Sequence, residues 1–415
     1  MKLNKNELHN IAINYKDLDC GNNNKIFKIK GQGSVSTVIE NNTEAFSITL
    51  STHDKKQGFE VFIEKEAVCF YEFFSEKREL IKKIENIKDD RKIGLDKDLE
   101  CRYWISLDSH NTCLRYGKGE LRLLTVLAEC KYSLDTTSQN PSQYDWSKEI
   151  KNIHISNEVN DTVVWRDPVT IEPPIVVLPT DDMTMEIAAN SWATSPGTLT
   201  KECQALYDTV SGKSFVLNTP DFPEFTDAIE FSISNKDGWC YKKLREKAYS
   251  SKEDLESTYL RITLGVNQGN SPGVPYVMEI WPSNHHSSIH NHADADAIIR
   301  VLYGEITVNL YPMLSNYHKN PFARKLFKTG DITWLSPDLN QTHQLHNRNV
   351  SGPTCITIQC YQYGKENNFH YEYFDHINEK GEIEQFNPTS DMDFLEFKAL
   401  MRQEWQGIIT NQEKI

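Results

Sequence analysis

Between residues 25 and 133, apolar and polar side chains alternate with a period of two. The segments "VSTVIE", "AFSITLS", "GFEVFIE", "CRYWISLD" and "LRLLTVLAEC" are rich in β-branched and aromatic residues. That pattern predicts half-buried strands, and a series of them predicts a β-sandwich. One stretch departs from it. In "SEKRELIKKIENIKDDRKIGLDKD", residues 75 to 98, charge dominates, and Leu80, Ile81 and Ile84 fall on one stripe at helical spacing. A solvated helix or long loop is the expectation there.

The texture changes over residues 134 to 195. "SLDTTSQNPSQYDWS" is polar and turn-rich, and Pro168, Pro173, Pro174 and Pro179 crowd "DPVTIEPPIVVLPTDD". Proline-rich runs favour extended backbone that cannot sit inside a sheet, so a linker is predicted. Beyond it, "SPGTLTKECQALYDTVSG" and "GWCYKKLREKAYSSKEDLES" are predicted helices with Ser and Asp available as caps. Strand alternation returns from Tyr259 to about Tyr373. The expected organisation is a β-sandwich accessory domain over 1–135, a proline-rich linker over 136–195, and a second, mainly β domain with a few flanking helices over 196–415.

A chain of 415 residues exceeds one ordinary core, which agrees with two domains. Its 45 basic and 59 acidic residues leave a net charge of −14, which opposes attraction to nucleic acid and to anionic membranes. The start "MKLNKNELHN" lacks an apolar signal core, and nine cysteines are scattered without CxxC pairs. Both point to reduced thiols and a cytoplasmic location as the expectation.

Candidate chemistry concentrates in "SSIHNHADADAIIRVLYGE". His290 and His292 lie two apart, so an extended strand would project both imidazoles from one face. An isolated pair of this kind is weak. A third histidine strengthens it: "KTGDITWLSPDLNQTHQLHN" holds Gly330, Pro337, His343 and Asn347. His346 is three residues from His343 and would face the other way, and only His343 keeps the three-residue gap to Asn347. His285, His286, His370 and His376 are assigned to packing or surface roles. The position where a carboxylate ligand could follow the pair is Ala297, and Asp294 and Asp296 are assigned to solvent or to supporting contacts. Three neutral imidazoles with open positions suit iron, while zinc or nickel could use the same set.

These spacings resemble the two signatures of the cupin barrels, G…HxH(x)3–4E(x)6G and G(x)5PxG(x)2H(x)3N. His290, His292 and Gly304 fall in the first, and Gly330, Pro337, His343 and Asn347 fall in the second with one insertion. The wider stretch "YLRITLGVNQGNSPGVPYVMEIWPSNHHSSIHNH" resembles the cysteine dioxygenases of that superfamily, through Tyr259-x-Arg261 and "SSIHNH". The resemblance covers roughly residues 196 to 375 and implies a cupin, or double-stranded β-helix, barrel. It further implies Fe(II) on His290, His292 and His343, Arg261 holding a substrate carboxylate, and Tyr259 and Tyr361 lining the site. A small carboxylated thiol such as cysteine and O2 would be the substrates, and a sulfinic acid the product.

Two departures accompany it. Ala297 stands where a crosslinking cysteine occurs in one family member, so no Cys–Tyr crosslink is expected. The family's Ser-x-His-x-Tyr series meets Thr357, Gln359 and Tyr361, and Gln359 can donate a hydrogen bond but cannot carry a proton. A three-histidine oxygenase of a non-thiol substrate, and a non-enzymatic cupin serving in binding or assembly, are the alternatives. In the N-terminal half, "YWISLDSHNTCLRYGKGE" faintly resembles farnesoic acid O-methyltransferase-like sandwich domains. An accessory role there, binding carbohydrate or a protein partner, is the expectation.

Overall fold

The computed structural model describes residues 25–39, 43–75, 77–86, 92–96, 101–134, 141–157, 161–251, 254–265, 276–363, 374–378, 380–386 and 389–412. It divides into two compact units, one of Met1–Glu172 with Ser315–Asn320 and the other of Pro173–Leu314 with Pro321–Ile415.

Unit 1 is a sandwich of antiparallel strands: β1 (Lys25–Ile26), β2 (Gln32–Thr37), β3 (Phe46–Thr52), β4 (Gln57–Ile63), β5 (Ala67–Phe74), β6 (Lys77–Glu85), β7 (Tyr103–Asp108), β8 (Cys113–Lys118), β9 (Val126–Lys131), β10 (Ile150–Ile155) and β11 (Val163–Trp165). One sheet runs β1-β10-β3-β4-β5-β6 and the other β11-β2-β7-β8-β9. The expected alternation supplies its core. Phe46 of β3 meets Tyr103 of β7 edge-on at 5.0 Å, and Phe59 of β4 meets Tyr132 at 4.5 Å.

Two expectations are corrected here. Leu80, Ile81 and Ile84 lie on strand β6, not on a helix. The register shifts beside Phe70 and Tyr71, which pair with Lys82 and Leu80 and leave Ile81 as an extra residue. That bulge resets the period-two alternation and makes the apolar positions imitate a helical stripe. The charges belong to an edge strand, where they discourage pairing with another chain.

The second correction concerns 136–195, which is not a linker. β10 and β11 complete the two sheets of unit 1, and the boundary falls at Glu172 and Pro173. Past it, the proline run lies along a sheet edge in unit 2. Trp334 Nε1 donates to Pro174 O at 2.9 Å, and Thr333 Oγ1 donates to Ile175 O at 2.7 Å.

Unit 2 continues with β12 (Val176–Val177), β13 (Leu260–Thr263), β14 (Tyr276–Trp281), β15 (Ile289–His290), β16 (Asp296–Tyr303), β17 (Glu305–Leu310), β18 (Ala323–Lys328), β19 (Ile332–Leu335), β20 (His343–His346), β21 (Cys355–Gln362), β22 (Phe374–Ile377), β23 (Ile383–Phe386) and β24 (Met392–Asp393). They form a seven-stranded sheet, β12-β19-β16-β21-β14-β13-β24, and a six-stranded sheet, β18-β17-β20-β15-β22-β23. The two sheets together form a double-stranded β-helix barrel.

Helices α1 (Met185–Ala189), α2 (Lys201–Val210), α3 (Phe225–Ser234), α4 (Trp239–Ser251) and α5 (Phe394–Gln412) accompany it. Thr200 caps α2 by accepting from Cys203 N, and the buried Cys203, Leu206, Tyr207 and Val210 form the face that packs on Ile298, Ile358 and Cys360. Helices α3 and α5 cover Leu260, Ile262, Met278 and Ile280 with Phe225, Ile229, Phe397 and Met401. With these residues turned out to the helices, alternation turns Arg261, Glu279, Trp281, Thr357, Gln359 and Tyr361 into the barrel. No helix among the described residues is long and apolar enough to cross a membrane. The eight described cysteines are buried.

Candidate metal centre

His290 closes the short strand β15 and pairs directly with His343, the first residue of β20. His292 lies just beyond the strand rather than on it, ahead of Ala293 and Asp294, whose φ values are +49° and +61°. The chain turns there, and the turn, not strand alternation, aims the third ring. One ring nitrogen from each histidine lies within 4.8 Å of the others, and the Nε2 atoms of His292 and His343 are 3.2 Å apart.

The donor set fits a metal ion. His290 Nδ1 donates to Ser288 O at 3.0 Å and His343 Nδ1 donates to Asn340 O at 3.2 Å, because a carbonyl can only accept. Each bond leaves an Nε2 lone pair facing the centre. Burial lowers the pKa of His290 to about 3, with His343 adding to the effect, and burial lowers His343 to about 4. His292 is held well below the ordinary value by burial and then by its two neighbours. All three rings are therefore neutral, the form that binds a metal.

No carboxylate completes the set among the described residues. Ala297 is fully buried against Leu335 and Tyr361. Asp294 is exposed, and Asp296 turns to helix α2, where its Oδ1 accepts from Thr200 Oγ1 at 2.6 Å. Asn347 is a brace: its Nδ2 donates to Trp281 O and Pro353 O. His346 faces His286 at 5.2 Å, away from the centre, and His285 Nδ1 binds Thr258 O. His376 is part of the barrel, paired with His290 across β22 and β15, and His370 lies outside the described residues.

A narrow pocket adjoins His290 and His292, lined by Tyr259, Arg261, Glu279, Trp281, Gln359 and Tyr361, with Leu345, Phe374 and Phe386. The structure thus brings together all the predicted site residues: Arg261, Tyr361, Tyr259 and Gln359 beside the three histidines. Tyr259 stacks on Trp281 at 4.0 Å, and the Tyr361 ring stacks on His292 at 5.1 Å. The Asn267-Gln268-Gly269 stretch of the resemblance lies outside the described residues.

Glu279 was not foreseen from sequence. It pairs with Arg261 in the β13–β14 ladder, and its Oε1 accepts from Arg261 Nη1 at 2.6 Å. Its Oε2 accepts from Gln359 Nε2, and the Gln359 carbonyl accepts from the Tyr361 hydroxyl. Burial raises the Glu279 pKa to about 7, against the pull of Arg261 and then Lys247. The signal was available in "YVMEIW", where Glu279 shares a strand face with Trp281 between the outward Met278 and Ile280.

No family model matches the chain. Several solved structures align in part. An oxalate oxidase aligns over 21% of this chain and 40% of its own, at 15% identity and a TM-score of 0.18. A Cupin_2 domain of an XRE family transcriptional regulator from Enterobacter cloacae aligns over 26% and 97%, at 10% identity and 0.19. A protein with a double-stranded beta-helix domain from Klebsiella pneumoniae aligns over 22% and 65%, at 18% and 0.17. The chain spans less than half the length of the oxalate oxidases it matches. At such scores the fold assignment stands on the sheets themselves.

Proposed function

We propose that the protein is a non-haem iron dioxygenase of a small thiol, forming a sulfinic acid from RSH and O2 with both oxygen atoms retained in RSO2H. The observation that carries this reading is a buried, all-histidine triad, with no carboxylate ligand among the described residues, opening on a narrow pocket with a guanidinium and two phenols. His290, His292 and His343 would hold iron(II), which would supply a centre able to bring a thiol and O2 together. A ligand set of neutral imidazoles leaves the positive charge of the ion unspent, which favours the thiolate form at neutral pH. Trp281, Leu345 and Phe374 exclude water around it. Arg261, Gln359 and Tyr361 hold the far end of the substrate, so that its sulfur is placed by proximity.

The test is iron reconstitution followed by an O2-uptake screen over small thiols, with sulfinate read by mass spectrometry. Equal consumption of O2 and thiol with sulfinate as product supports the reading. A chain that loads iron stoichiometrically and oxidises no small thiol refutes it.

A further inference from the structure

The inner end of the pocket is a hydrogen-bonded chain whose direction one residue sets. At pH 8, above the raised Glu279 value of about 7, the ionised carboxylate only accepts, so Gln359 turns its NH2 to Glu279 and its carbonyl to Tyr361. The Tyr361 proton is then engaged by that carbonyl, and the phenol oxygen has only lone pairs left for the pocket. On the other side, the Arg261 charge is matched by Glu279 at 2.6 Å, yet its Nε–H is buried and has no hydrogen-bond partner among the described residues. Beside the Tyr259 hydroxyl, the inner wall of the pocket thus carries a buried Arg261 Nε–H without a partner among the described residues, a Tyr361 oxygen left as an acceptor, and a guanidinium charge already matched by Glu279.

We infer that Glu279 is a specificity-determining residue that selects a thiol with an uncharged far end, a hydroxyl or carboxamide, over a thiol acid; this rests on the thiol reading above. Such a group accepts from Arg261 Nε–H and donates to the Tyr361 oxygen. A carboxylate has no proton for Tyr361 and would place a second negative charge on a guanidinium already paired with Glu279. An ammonium would meet the Arg261 Nε–H with no lone pair to offer. Glu279 thus rejects the acid by repulsion as much as it favours the amide by contact.

The discriminating pair is 3-mercaptopropionamide and 3-mercaptopropionate, equal in size and different in charge. The full chain is loaded with cobalt(II), and each thiol is titrated at pH 8 while the thiolate-to-cobalt charge-transfer band is followed, a readout independent of turnover. The amide is expected to bind about tenfold more tightly or better. In Glu279→Gln, with its fold checked by circular dichroism, the preference should shrink or invert, because the Arg261 charge becomes available to the acid. Equal or tighter binding of the acid by the unaltered chain overturns the inference and leaves the thiol reading intact. An unchanged ratio in a folded Glu279→Gln also overturns it. If cobalt binds but neither thiol produces the band, the thiol reading fails and this inference fails with it.

Discussion

His290 and His343 are tied to backbone carbonyls through Nδ1, whereas His292 Nδ1 is buried with no hydrogen-bond partner among the described residues. Replacing either anchored ring removes a preset lone pair as well as a ligand. His290→Ala and His343→Ala are each expected to reduce metal content from roughly one ion per chain to a trace, read by elemental analysis. The Arg261 and Glu279 pair behaves differently, since removing one partner leaves the other buried without its counter-charge, or for Glu279 obliges it to take up a proton. Arg261→Gln should cost about 3–5 kcal/mol in urea unfolding, and adding Glu279→Gln should restore part of that loss. Near-additive losses would show that the pair is not coupled. The same carboxyl carries a pH dependence. Its folded pKa is raised from 4.5 to about 7, so the folded state holds the proton more tightly. The stability it contributes is present below 4.5 and is lost as pH rises through about 7. In the metal-free protein, the difference in unfolding free energy between pH 5 and pH 8 should therefore be smaller in Glu279→Gln than in the parent.

Gly304, at the turn between β16 and β17, has φ of +72°, and a Cβ there would come within 2.4 Å of the Thr354 carbonyl oxygen. Gly330, at the turn before β19, has φ of +96° with open space around it. Both glycines were read from spacing, but the spacing could not rank them. Gly304→Ala must shift backbone and should cost several kcal/mol, whereas Gly330→Ala meets only the left-handed backbone penalty of about 1–2 kcal/mol. Thermal or urea unfolding of the two variants checks the order, and equal losses would contradict it. Strands and turns were legible because alternation and glycine report local backbone. β6 was misread because a bulge at Ile81 and exposure at the sheet edge removed its alternation. The three histidines were legible as a spacing, but the turn at Ala293 and Asp294 that aims His292 was not. Glu279 escaped because its meaning depends on Arg261, eighteen residues away in sequence and adjacent only through the β13–β14 register.

The two units have separate cores, and the sequence marked the wrong border between them for a physical reason. Polar and proline-rich composition between 134 and 195 resembles a linker, yet β10, β11 and β12 are strands whose backbone bonds come from partners far along the chain. Separate cores imply separable responses. Among the described residues, the one cluster of side chains suited to a metal ion is the histidine triad of unit 2, so saturating metal is expected to raise the unfolding transition of unit 2, by about 2.7 kcal/mol at a hundredfold excess over Kd, and to leave that of unit 1 in place. Acid should act on unit 1 through Asp96. Within that unit its carboxylate accepts from Lys118 Nζ at 2.8 Å and lies 2.7 Å from His318 Nε2, with all three side chains buried. Burial raises the carboxyl, but the His318 hydrogen bond and the Lys118 charge outweigh it and hold Asp96 well below the usual carboxylate range. A depressed folded value means that its stabilisation is present above pH 3.8 and is lost as pH falls below it. Asp96→Asn leaves Lys118 buried without its counter-charge, so it should destabilise unit 1 by about 3–5 kcal/mol at pH 7 and by about 1 kcal/mol less at pH 3, where the unfolded carboxyl is mostly protonated and the folded one is still ionised. Calorimetry of the parent and the variant at both pH values checks this. A penalty that is the same at pH 3 and pH 7 would mean that the carboxylate charge at Asp96 contributes nothing to the unit.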